Sequence, residues 1–116
     1  MRAKILVFVA AAAVTMTLFI NFCNWAYRCG CQSWWAGVAD HCNIHAASPP
    51  HCPWCVSALA GYSSFGVILA SQALVAFVPW RGGAAGRLAL ALATFPLAGG
   101  VMALLWGWYA GYWNAA

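Results

Sequence analysis

With 116 residues, 66% of them hydrophobic and only six formal charges, five basic and one acidic, the chain lacks the polar surface that a soluble domain needs. The net charge of +4 is scattered rather than gathered into a patch, and there is no phosphate loop, carboxylate pair or serine triad. These features exclude a nucleic-acid partner and the common hydrolase chemistries, and they point to an all-α integral membrane protein in a lipid bilayer.

Runs of about 18 or more apolar residues read as bilayer spans, and the sequence offers three. The first covers 5–22. Its basic start and apolar centre also suit a secretory signal, but the run is long, no clean small-x-small site precedes Cys23, and Phe22 is a poor neighbour for a lipid-modified cysteine. A retained span is expected. The segment 23–55 follows, with all six cysteines, all three histidines and Asp40, the sole acid. The second span is expected over 56–79, a turn over 80–87, and the third span over 88–110, so that 1–116 forms one membrane domain.

Short basic loops stay on the cytoplasmic side. Arg2 and Lys4 precede the first span, while Arg81 and Arg87 bracket the turn between the second and third. This predicts a bacterial inner-membrane protein with a cytoplasmic N-terminus, a periplasmic cysteine loop between the first two helices, and a periplasmic C-terminus. The tryptophans fit such a frame. Trp25, Trp34, Trp35, Trp54, Trp106, Trp108 and Trp113 fall near the loop side and Trp80 near the other, as interfacial belts require.

The spans carry no interior charge, which argues against a transporter or proton channel. Gln72 and Asn21 are expected to hydrogen-bond between helices. In the third span Pro96 removes a backbone donor and frees the carbonyl near Leu92. Gly99, Ala103, Gly107 and Gly111 then recur every four residues, a smooth stripe that lets helices approach closely, either within the chain or against other membrane protein subunits. Gly66 and Ala70 form a shorter version.

Three chemistries compete for the loop. Six cysteines in an oxidising compartment favour disulfides, and Cys23, Cys29, Cys31, Cys42, Cys52 and Cys55 allow fifteen pairings; each bridge would contribute about 2–4 kcal/mol to a segment with almost no core. Metal binding would use Cys42-x-x-His45 with Cys52-x-x-Cys55, a Cys3His set suited to zinc. His41 or His51 could replace cysteine and favour copper or iron, and Asp40 could orient His41. Cys29-x-Cys31 is a further chelating pair. No C-x-x-C-H is present, so covalent haem is not expected.

The third chemistry is thiol exchange. Pro53 suits a first helical turn, which places Cys52 at the cap and Cys55 within that turn. The stretch from Pro50 to Cys55, a C-x-x-C opening an apolar span, resembles the reactive site of the membrane quinone reductases that regenerate disulfide donors, and more loosely that of vitamin K epoxide reductases. The resemblance implies a reactive Cys52, a partner Cys55 and a shuttle pair such as Cys29 and Cys31. The chain departs from the first family in having no arginine after the motif until Arg81. The functional expectation is an accessory subunit of a larger membrane complex that handles electrons or metals, with a membrane thiol-disulfide oxidoreductase as the alternative.

Overall fold

The computed structural model describes residues 1–48, 50–79 and 82–115; Trp80 and Arg81, to which the sequence assigned an interfacial and a topogenic role, lie outside them. The elements in order are α1 (Arg2–Tyr27), 3-10 turns at Trp34–Ala36 and Asn43–His45, α2 (Pro53–Val56), α3 (Ala58–Phe77), α4 (Ala84–Tyr109) and α5 (Tyr112–Ala115). The protein is all-α. Helices α1, α3 and α4 have mean hydropathies of 2.3, 1.5 and 2.1 and are long and apolar enough to cross a membrane. The cysteine-rich segment 23–55 joins α1 to the second of them, as expected for a multi-pass membrane protein.

Close approach of the three long helices comes from small residues. Ala11, Ala60, Ala76, Ala91 and Ala103 are buried where the helices meet, and a Cβ on Gly99 would stand 2.9 Å from Phe22 Cε1. A polar layer ties the bundle at mid-height. Gln72 Nε2 of α3 donates to Thr15 Oγ1 of α1 (2.8 Å) and to the Ala91 carbonyl of α4 (3.1 Å), while Thr15 donates back to Ala11 (2.9 Å). One buried amide thereby contacts all three spans, the interhelical role expected of it. Asn21 instead bonds Ser33 Oγ at the loop (2.8 Å).

Two features revise the reading of the ends. Arg87 lies in the first turn of α4, buried, and its Nη1 donates to the carbonyls of Ala76 and Val78 at 2.8 Å. It serves as a side-chain cap on the C-terminus of α3, where a cation also complements the helix dipole. Gly111 is not part of the helical stripe. Helix α4 ends at Tyr109, and Gly111 has φ +71, the left-handed conformation that glycine adopts cheaply. The chain reverses there and α5 folds back, laying Trp113 over Gly107 so closely that any Cβ would collide with its indole. The stripe of Gly99, Ala103 and Gly107 is thus covered by Phe22, Ile68, Tyr27 and Trp113 of the same chain.

Only 22% of the residues in each apolar window are buried within the chain. The remaining surface faces lipid or other proteins. Trp25, Trp34, Trp35, Trp108 and Tyr109 are exposed and all belong to the end that carries the loop. This is the composition of an interfacial aromatic belt.

Candidate metal centre

Cys23 sits one turn before the end of α1. The helix stops at Arg28, whose φ of 51 and ψ of 42 are left-handed, with its N–H bonded to the Asn24 carbonyl. Gly30 follows with φ +91, and a Cβ there would run into the His41 carbonyl. The two positive-φ residues fold the chain back, bringing Cys29 and Cys31 toward Cys23. Asn24 Oδ1 fixes this reversal by accepting from Gly30 N at 2.8 Å.

A second asparagine carries the other half of the loop. Asn43 N donates to the Cys29 carbonyl (2.7 Å), its Oδ1 accepts from Cys52 N (2.7 Å), and its Nδ2 donates to Tyr112 Oη (3.1 Å). Cys42 and Cys52 are thereby each held beside Cys29. Cys52 is the residue before Pro53, at the start of the single turn α2, which contains Cys55. Ser57 then adopts an extended conformation and caps α3 by accepting from Ala60 N (3.2 Å). The membrane helix therefore begins at Ala58, and the cysteine pair occupies a separate turn above it.

Aromatic packing supplies the floor. Trp54 stacks on Phe19 with centroids 4.8 Å apart and meets Tyr27 edge-on at 5.4 Å. Tyr27 Oη donates to the Ala103 carbonyl (2.6 Å), and Tyr112 Oη donates to the Tyr27 carbonyl. Between α1 and α3 an apolar groove of about 650 Å³ runs past Phe19, Trp54, Tyr62 and Phe65, with Cys23, Cys31 and Cys55 along its wall.

All six sulfurs converge. Cys23 Sγ lies 3.1 Å from Cys52 Sγ and 3.6 Å from Cys29 Sγ, and Cys31 Sγ lies 3.2 Å from Cys55 Sγ. Two sets of four form. The sulfurs of Cys23, Cys29, Cys52 and Cys55 all lie within 4.8 Å of one another, and so do those of Cys29, Cys31, Cys42 and Cys55. Five of the six residues are buried; Cys55 is half-buried. A tetrahedral zinc with bonds of about 2.3 Å requires sulfur separations of about 3.8 Å, so small adjustments would admit an ion to either set.

The electrostatics suit that use. Burial pushes the Cys42 thiol up to about 11, partly opposed by a hydrogen bond with the Ile44 backbone. The Cys29 thiol is held well below its ordinary range by hydrogen bonding from Cys23 first, then from Cys31, Cys52 and Cys55.

Of the residues that spacing paired, Cys55 belongs to both sets, Cys42 to one and Cys52 to the other, while His45 belongs to neither. The His45 ring nitrogen Nε2 lies 2.9 Å from the Ala39 carbonyl and that of His51 lies 3.0 Å from the Ala46 carbonyl. His41 is exposed and is in neither set. The sets contain cysteine alone because the reversal at Arg28 and Gly30 delivers Cys29 and Cys31. The C-x-C spacing hinted at that pair, whereas nothing local marks Cys23, which is embedded in the apolar run of α1.

No protein-family model matches the chain, and neither the curated proteins nor the solved structures yield a match.

Proposed function

We propose that this membrane protein is a small metal–thiolate subunit of a larger membrane complex, with a thiophilic ion bound by its cysteine loop. The observation that carries the reading is the convergence of all six cysteines into two overlapping four-sulfur sets at one end of the bundle. Buried thiols at this density suit coordination by soft sulfur ligands, and zinc, copper(I) and iron all accept them. The all-sulfur, closed environment favours a structural or electron-transfer centre over a hydrolytic one, which would keep an open position for water. Membership of a complex is supported by the large apolar surface that three short spans leave uncovered.

Orientation follows from charge. Arg2, Lys4, Arg81 and Arg87 flank one side of the spans in sequence and Arg28 alone the other, which supports our reading of a cytoplasmic N-terminus and, in a bacterial inner membrane, a periplasmic loop. In that oxidising space a bound ion would hold the thiols against oxidation.

The test is elemental analysis of the full chain purified in detergent without added metal or chelator. The expected result is stoichiometric zinc, copper or iron that is lost when Cys29 is changed to Ser. Absence of any such metal from protein with six reactive thiols would refute the reading. A second reading, thiol exchange through Cys52 and Cys55, draws on the close pairs Cys23 with Cys52 and Cys31 with Cys55, each of which a separate two-electron oxidation would join into a disulfide with loss of two protons. Metal-free protein whose peptide map contains those two bridges, and whose Cys52→Ser variant accumulates mixed disulfides, would establish it.

A further inference from the structure

Each four-sulfur set is complete for one tetrahedral ion, and the two sets share two members, Cys29 and Cys55. Two four-coordinate ions need eight coordination positions. Six sulfurs fill eight positions only if two of them bridge, and the fold brings two cysteines, no more and no fewer, into both sets. We propose, resting on the metal reading above, that the loop holds a pair of divalent thiophilic ions: Cys23 and Cys52 are terminal ligands of one, Cys31 and Cys42 of the other, and Cys29 and Cys55 bridge them.

The backbone explains this division of labour. Cys29 stands at the reversal between the end of α1 and the loop, with its carbonyl tied to Asn43 N at 2.7 Å, so it is placed between the Cys23 side and the Cys42 side. Cys55 extends from α2, where its sulfur meets Cys31 at 3.2 Å. The terminal ligands separate by element. Cys23 and Cys52 lie at the helix ends, their sulfurs 3.1 Å apart, while Cys31 and Cys42 belong to the connecting loop.

The charge balance is definite. Six thiolates around two dications make a cluster of charge −2, and four thiolates around one dication make the same −2. Doubling the metal therefore adds no net charge to the site. Bridging thiolates, whose negative charge is shared between two ions, make six sulfurs tolerable in so small a volume.

The experiment is a titration of reduced, full-length protein in detergent with Cd²⁺, in parallel with Co²⁺, against a chromophoric chelator. The expected result is sulfur-to-metal charge-transfer absorption that grows to two ions per chain. Cys42→Ser should keep one ion and lose the other. Cys29→Ser and Cys55→Ser should each lose tight binding of both. Saturation at one ion would overturn the paired centre while leaving the metal reading intact. No tight binding at all would overturn both. Because the unmutated chain gives the stoichiometry, misfolding of a variant does not obscure the answer.

Discussion

At the scale of single residues, the loop is organised by a few groups that fix backbone rather than by the ligands themselves. Gly30 is the clearest. Its φ of +91 and the His41 carbonyl beside its Hα leave no room for a side chain, so Gly30→Ala should destabilise the loop by about 1–3 kcal/mol and loosen metal binding without removing a ligand. Thermal unfolding and a competition titration together would measure this. His45 gives the opposite expectation. Its ring rests against the Ala39 carbonyl and outside both sulfur sets, so His45→Ala should leave metal stoichiometry unchanged, as elemental analysis can check. Spacing alone makes Cys42-x-x-His45 look like half of a zinc site. The histidine is displaced because Cys29 and Cys31 arrive from a reversal that begins at an arginine in a left-handed conformation, which no composition rule anticipates.

At the scale of elements, the helices contribute packing surfaces and ends. Gly107 lies beneath Trp113, so Gly107→Leu should displace α5 and, through Tyr112 and Asn43, disturb the cysteine loop; the expected readout is a lowered melting temperature and increased Trp113 quenching in the isolated chain, before any partner is considered. Arg87→Met would strip the carbonyls of Ala76 and Val78 of their donor. Loss of charged hydrogen bonds, that to the buried Ala76 above all, predicts a cost of about 2 kcal/mol, measurable by denaturation in detergent. The three spans were legible because an uninterrupted apolar run has one structural solution in lipid. Their ends were less so: the second begins at Ala58 because Ser57 caps it, and the third stops at Tyr109 because Gly111 turns left-handed. Extrapolating a four-residue repeat to Gly111 missed that turn, since glycine serves equally in a packing stripe and in a helix terminator.

At the scale of the whole molecule, a narrow bundle of 51 × 29 × 19 Å is tied across its three long helices by the buried Gln72 amide and concentrates its chemistry at one end. The sequence made the cysteine loop visible as a unit, and its position between two spans follows from hydropathy. It left open how six sulfurs divide, because ligand sets are defined by contacts between α1, the loop and α2, and those contacts depend on Asn24, Asn43 and two positive-φ residues. The central claim is that these sulfurs act together as ligands. X-ray absorption at the metal edge of the natively purified chain tests it most directly. An all-sulfur shell at about 2.3 Å with a second metal at about 3 Å, somewhat beyond the ~2.7 Å of regular edge-sharing tetrahedra of that bond length because the two cations repel, is the predicted result; a shell dominated by nitrogen or oxygen would contradict it.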